Sequence, residues 1–372
     1  MRPIQAALNA VTAYLRASLR GASTPFHLLG TGPVASLEEK LRTYTGLRYC
    51  VLTASGTAAL LTLGLALGMR RGVHFIMSPY AWAGSAVWLY LGARCVFADV
   101  EPETLTLDPE AVRQAITPRT RALLAVETDG VPADDTVLRR VAEDHGLTFV
   151  VDGTRSLGAR RDGRPAGTQA HALVLSFTYS KALYLGEGGA VLTDDPDLYE
   201  RLLFYGQHPL RQKRELGLET FNESAMNARI HPLAALWGEA VFDWALNRIR
   251  RRQKRLLHLV EALNASNLIL PLPFRPGGIE PSFYRLCGAW REGRREAELV
   301  DYLARQGWHV QVQPLEDRPL YRNPVFRRLF HSRIDGHPCP VLERELGRRF
   351  VVHALPRSDS SGMARTSRTL AF

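Results

Sequence analysis

The residues of this sequence that could do chemistry stand at the ends of apolar runs. HALVLSF (171–177) leads to Lys181, and the chain then places Gly186, Gly188 and Gly189 within four residues before another apolar run, GGAVLTDD. A lysine held near buried surface loses its proton more readily and becomes an amine nucleophile able to form a Schiff base; a solvated surface lysine does not. LTFVV ends in Asp152. A carboxylate at the end of such a run is costly unless it caps a helix or meets a cation, and a protonated pyridine nitrogen is one such cation. HFIMSP leads to Tyr80-Ala81-Trp82, an indole that either stacks on a flat ring or fills a core. RYCVLTAS leads to Ser55-Gly56-Thr57 at a helix start, either a plain N-cap or a phosphate site made of free backbone N–H groups.

Each feature alone has a bland explanation. Together they place a phosphate cradle, a ring stacker, a carboxylate and a lysine on strand ends of one sheet. Pyridoxal phosphate requires that combination.

The elements that carry these residues alternate from residue 36 to about 200. SLEEKLRTYTG reads as a helix with Ser36 as N-cap, Glu39 three residues later and Gly46 as its stop. Strand RYCVLTAS, buried helix GTAALLTLGLALG, strand HFIMSP, a helix through SAVWLYLG and strand RCVFADV follow. Then come helix DPEAVRQAIT, strand TRALLAVET, helix DDTVLRRVAEDHG and strands LTFVVDG, HALVLSF and GGAVLTDD. This pattern predicts an α/β fold, a mostly parallel sheet covered on both faces, with ligands at the carboxyl ends of its strands. A long helical pattern from about 233 to 265 precedes a smaller α+β unit: strand FYRLCGAW, helix REAELVDYLARQG and strand WHVQVQPL. The expected domains are 1–250, large and with an N-terminal helix, and 251–372, small and with a loose tail from about 358.

Composition narrows the class. At 372 residues and 46% hydrophobic, the chain can bury a large core in two domains. No apolar run is long enough to span a bilayer, and the amphipathic N-terminal stretch lacks the apolar block of a signal peptide. Cys50, Cys95, Cys287 and Cys339 are far apart and form no CxxC pair, which argues against a zinc site and a disulfide framework. A cytoplasmic location is the simplest expectation. The net charge of +10 raises the question of nucleic acid. Its one dense run, NRIRRRQKR (247–255), is interleaved with apolar residues at helical spacing and reads as the wet face of a helix, so no nucleic-acid partner is expected.

From about Gly30 to Pro356 the sequence resembles the DegT/StrS sugar aminotransferases, which have the aspartate aminotransferase fold, fold type I. The segments that carry the resemblance are SGTAAL, SPYAW, VFADVEPETLTLDPEAVRQAITPRTRALLAV, VVDGTRSLGA, LSFTYSKALYLGEGGAVLTDD and MNARIHPLAALWG. The resemblance implies a mostly parallel seven-stranded sheet with helices on both faces. It implies that Lys181 would carry the cofactor as a Schiff base and then shuttle protons. Asp152 would pair with the pyridinium nitrogen, and Trp82 would stack on the ring. Gly56, Thr57 and Ser176 would hold the phosphate. Asn227 would reach the phosphate from a partner subunit, which makes the protein a homodimer with shared active sites.

Three departures from the family pattern surround the expected substrate. Arg155 stands where a glutamine or histidine is usual near the cofactor's phenolic oxygen, Glu127 where a histidine is frequent, and Thr178 where a histidine often precedes the lysine. The closing helix that normally follows VVHALPR is also missing from the pattern. The leading expectation is amino transfer from an amino acid, glutamate or glutamine, to a ketone on a sugar, cyclitol or related ring. The arginine surplus fits an anionic, nucleotide-linked acceptor. The alternatives are a dehydration or ring-forming elimination on the same cofactor, of which Lys181 argues against the sugar-deoxygenating branch, and a catalytically silent binding protein, against which Lys181 and Asp152 weigh.

Overall fold

The structure is a computed structural model that describes residues 2–22, 25–335 and 338–355. Seven strands build the main sheet: β1 (Tyr49–Thr53), β2 (His74–Met77), β3 (Arg94–Phe97), β4 (Thr120–Val126), β5 (Thr148–Asp152), β6 (Ala172–Ser176) and β7 (Gly189–Thr193). They lie in the order β1-β7-β6-β5-β4-β2-β3, and a two-residue strand from the C-terminal part, Ile334–Asp335, extends the β3 edge as an eighth. All neighbours pair in parallel except β7, which runs antiparallel to both β1 and β6. The start of β7 therefore lies beside the carboxyl ends of β1 and β6, with Gly189 opposite both Thr53 and Ser176.

These strands are apolar at nearly every position because both faces are covered. Cys50, Leu52, Ile76, Phe149, Val151, Leu173, Leu175 and Leu192 point into one core, shared with the helices Pro33–Thr45 and Pro232–Ala265. Their neighbours Val51, Phe75, Met77, Val150, Val174 and Val191 point into a second core, shared with the helices Gly56–Ala66 and Pro196–Gly206. The alternation is the two-residue period of a pleated strand.

Two local expectations change. The first helix of the alternating region starts at Pro33, with Gly32 as N-cap, so Ser36 lies inside it and its N–H donates to Gly32 O. Proline fixes φ and loses no hydrogen bond at a first helical position, which moves the start upstream. Gly46 does end the helix, in a left-handed conformation at φ 81°. The SAVWLYLG segment is a run of 3₁₀ turns, Ala83–Leu91, kinked at Ala86.

The helix Pro232–Ala265 runs unbroken for 34 residues, through position 250. Its first half, to Ile249, packs into the core beside the main sheet. From Leu256 its side chains belong to a third core with Phe283, Trp290, Leu299 and Phe350. That core lies under a three-stranded antiparallel sheet of β8 (Leu286–Ala289), β9 (Val310–Pro314) and β10 (Arg349–Ala354), with β10 in the middle. The tail expected from about 358 lies outside the described residues.

Candidate active site

A cavity of about 400 Å³ opens at the carboxyl ends of β1, β5 and β6. Seven of the eight residues singled out from the sequence line it: Gly56, Thr57, Trp82, Asp152, Arg155, Ser176 and Lys181. Asn227 does not. It is exposed, with φ 52°, on a segment that docks beside β1 through the Ala54 N–H to Ala228 O hydrogen bond (2.8 Å).

The floor is the turn between β1 and the helix Gly56–Ala66. Ser55 is its N-cap: its Oγ accepts from Ala58 N at 3.1 Å, which leaves the first N–H groups of the helix without intrahelical partners. The turn is packed too tightly for side chains. A Cβ on Gly56 would stand 2.8 Å from Ser176 Cβ, and one on Gly189 would stand 2.5 Å from the Ser55 carbonyl carbon. Free N–H groups, the positive end of a helix and the Thr57 and Ser176 hydroxyls suit a phosphate.

Asp152 is 2% exposed at the end of β5. No helix follows it, so it is not a cap. Its Oδ2 accepts from Ser85 Oγ at 2.6 Å and its Oδ1 from Thr154 N at 3.1 Å. Ser85 carried no signal in the sequence, because it comes from the irregular turns after β2. Trp82 is 70% exposed and lines the cavity, which removes the core reading of its indole.

Lys181 sits on a turn after β6, its N–H bonded to Thr178 O, just past Ser180 at φ 76°. Burial lowers its pKa to about 8, the positive Arg155 adds to the effect, and Asp152 opposes it. About a tenth of such a lysine is the neutral nucleophile at pH 7, against about 0.03% at the ordinary pKa. Its Nζ lies 5.0 Å from the centre of the Tyr284 ring, and Arg155 Cζ lies 4.6 Å from the same centre. The Tyr284 hydroxyl is 3.1 Å from Ser180 Oγ. Tyr284 belongs to the segment just before β8, far away in sequence, and only tertiary packing reveals it.

Of the three departures, Arg155 and Thr178 line the cavity. Arg155 Nη1 donates to Thr128 O at 2.9 Å, and Thr178 Oγ1 donates to Glu187 Oε1 at 3.1 Å. Glu127 does not join them. It is 1% exposed, its Oε1 accepts from Ala133 N at 3.0 Å, and burial pushes its pKa up to about 8. Gly130 N–H donates to Glu127 O in the turn that follows, and Glu127 is not among the residues that line the cavity.

A second cavity of about 650 Å³ adjoins the first, sharing Trp82, Arg155, Tyr179, Ser180 and Tyr284 with it. Its far wall comes from residues 316–324 and His353.

The first cavity fits pyridoxal phosphate on its donor set: helix-end N–H groups for a phosphate, a buried carboxylate for a ring nitrogen, an exposed indole for a ring face, and a lysine of lowered pKa for an aldehyde. Site and sheet together define a pyridoxal-phosphate enzyme of fold type I. The chain belongs to the DegT/DnrJ/EryC1/StrS aminotransferase family, whose model matches residues 23–350. It is 35% identical, over 97% of its length and 90% of the relative's, to an L-glutamine:2-deoxy-scyllo-inosose aminotransferase of Streptomyces kanamyceticus. It is 34% identical to a UDP-2-acetamido-2-deoxy-3-oxo-D-glucuronate aminotransferase of Pseudomonas aeruginosa, over 48% of this chain and 50% of that one. Among solved structures, 3-amino-5-hydroxybenzoic acid synthase superposes with a TM-score of 0.75 at 25% identity, over 94% of this chain and 90% of that one. The protein is thus a pyridoxal-phosphate-dependent aminotransferase that moves an amino group from an amino acid to a keto group on a sugar, cyclitol or related ring. No helix among the described residues is long and apolar enough to cross a membrane.

Proposed function

We propose that this aminotransferase takes its amino group from glutamine and delivers it to the keto group of a cyclitol. The observation that carries the site assignment is the meeting of Lys181, of lowered pKa, and the buried Asp152 in one cavity above a helix N-terminus. Glutamine and a cyclitol ketone are what the relative matching nearly the whole chain is named for.

When bound, pyridoxal phosphate supplies an aldehyde that takes up the amino group and a ring that accepts electrons from the bond being broken. Lys181 is the catalytic residue: its Nζ would hold the cofactor through the aldehyde carbon and, when free, would take a proton from the carbon bearing the amino group and return one to the cofactor carbon within each half-reaction. Asp152, fixed by Ser85 and Thr154, keeps a proton on the ring nitrogen through charge. The N–H groups of Gly56 and Thr57 with Ser176 Oγ hold the phosphate, and Trp82 covers the ring face. Arg155 would lie near the phenolic oxygen and favour its negative charge.

Asn227 completes the phosphate site from across a dimer interface, so each active site of the homodimer draws on two chains. Its exposure and its place beyond its own chain's cavity support this role. We also propose a boundary between two domains near residue 250, supported by the change of core along the helix Pro232–Ala265, and a cytoplasmic location, supported by Cys50, Cys95 and Cys287, which are buried as free thiols.

The test is a two-stage reaction. Glutamine added to the yellow holoenzyme should abolish its visible band without any acceptor, and 2-deoxy-scyllo-inosose should restore it. A band unchanged by glutamine and by glutamate would sink the donor assignment.

A further inference from the structure

The second cavity ends on a wall that amino transfer itself does not require. Residues 315–320 are fixed there at three points. Leu315 N donates to Arg349 O (3.0 Å), Asp317 Oδ2 accepts from Arg285 Nη2 (2.6 Å), and Leu320 N donates to Pro79 O (2.9 Å). Arg285 is itself buttressed: its Nε donates to the buried Asp129 (2.6 Å), which also accepts from Tyr80 (2.8 Å). Asp129 and Asp317 thus share one guanidinium: Arg285 is fully paired, and the trio carries one net negative charge.

The residues flanking this pin behave differently. Glu316 and Arg318 line the cavity, as does His353 from β10, and none of the three side chains has a hydrogen-bond or ion-pair partner among the described residues. A segment held this firmly fixes the backbone that carries these side chains, so only their own rotamers have to be ordered on binding. The wall offers a carboxylate that accepts, a guanidinium that donates and an imidazole that can do either. Adjacent hydroxyls of a polyol ring are matched by such a mixture. A diphosphate is bound by N–H groups, hydroxyls and cations; the Glu316 carboxylate offers it no donor and repels it.

We infer that Glu316 and Arg318, held by the Arg285–Asp317 pair and joined by His353, are the acceptor-recognition wall of this enzyme, and that they select an uncharged polyhydroxylated ring ketone over a nucleotide-linked one. This rests on the amino-transfer reading and names the acceptor class for the same site.

The test compares Glu316→Gln with the unmutated holoenzyme, using glutamine as donor and two acceptor probes, 2-deoxy-scyllo-inosose and a UDP-linked keto sugar. Glu316 is exposed, so the variant folds. Loss of a charged hydrogen bond to a hydroxyl predicts a fall of about tenfold or more in kcat/KM for the cyclitol, mainly through KM. For the nucleotide-linked probe, loss of the repulsion predicts a rise, so the two efficiencies move in opposite directions. The inference is overturned if both probes respond alike, if neither responds, or if the unmutated enzyme prefers the UDP-linked probe or aminates neither. Failure of the glutamine half-reaction in the unmutated enzyme is a separate result: it overturns the donor reading before any acceptor is added.

Discussion

Replacing Arg155 with glutamine should raise the pKa of Lys181. Burial is the main reason that this amine sits at about 8, the positive charge of Arg155 is the second, and Asp152 pulls the other way. The two cationic centres lie 4.6 and 5.0 Å from the centre of one tyrosine ring, and so within about 10 Å of each other. At that separation and an effective dielectric constant of about 20, their repulsion is about 1.7 kcal/mol, a little over one pKa unit. Solvent reaching the partly buried lysine and ordinary salt weaken it, which leaves an expected rise of about half a unit to one unit. The assay is the rate at which cofactor-free protein takes up pyridoxal phosphate, followed by its visible absorbance from about pH 6 to pH 10. Only the neutral amine reacts, so the midpoint of the profile reports Lys181. It should lie near 8 in the unmutated protein and higher in the variant, with uptake at pH 7 slowed by about three- to tenfold. A midpoint that stays in place or falls would refute the claim that Arg155 poises the lysine.

Other substitutions probe the frame around the site. Gly189→Ala places a Cβ 2.5 Å from the Ser55 carbonyl carbon, so the cradle must shift; cofactor affinity by equilibrium titration should fall by about tenfold or more. Glu38 is 7% exposed and receives both ends of the Arg211 guanidinium at 2.9 Å while also accepting from Leu52 N. Glu38→Gln leaves a buried arginine without its main counter-charge and should cost about 3 kcal/mol or more in denaturant unfolding. The Glu127 carboxyl, raised from 4.5 to about 8, favours its neutral form in the folded protein. Its contribution to stability is complete below pH 4.5 and is lost as pH climbs towards 8, so Glu127→Gln should flatten the fall in Tm between those values. An equal fall in both proteins would remove this group from the account.

The chemistry of strand ends was legible because an apolar run that stops at Asp152 or Ser176, or at the loop to Lys181, has few reasons to do so. Both faces of the sheet are buried, so its strands stand out from the polar turns between them, and those turns are where the site lies. Residues brought in by tertiary packing left no such mark. Tyr284 reaches the cavity from 104 positions beyond its hydrogen-bond partner Ser180, and Ser85 comes from irregular turns with no periodicity. Glu127 shows the opposite limit. The family resemblance suggested a place near the substrate, but a side chain at a strand end can point inward as readily as outward, and here its carboxylate is buried and accepts from Ala133 N. The start of the helix Pro33–Thr45 was displaced because Ser36 and Glu39 mimic a capping box, whereas Pro33 three residues earlier already supplies a favoured first position. The helix Pro232–Ala265 runs unbroken through residue 250, and along it the packing partners change while the apolar pattern continues.

The central claim is that Lys181 is the residue that holds the cofactor. Borohydride reduction of the yellow holoenzyme, followed by digestion and mass spectrometry, tests it directly. The pyridoxyl label should be found on the peptide containing SKALYLGEGG, at Lys181 and at no other lysine, and Lys181→Ala should carry none. A label on another lysine, or one retained in Lys181→Ala, would contradict the account.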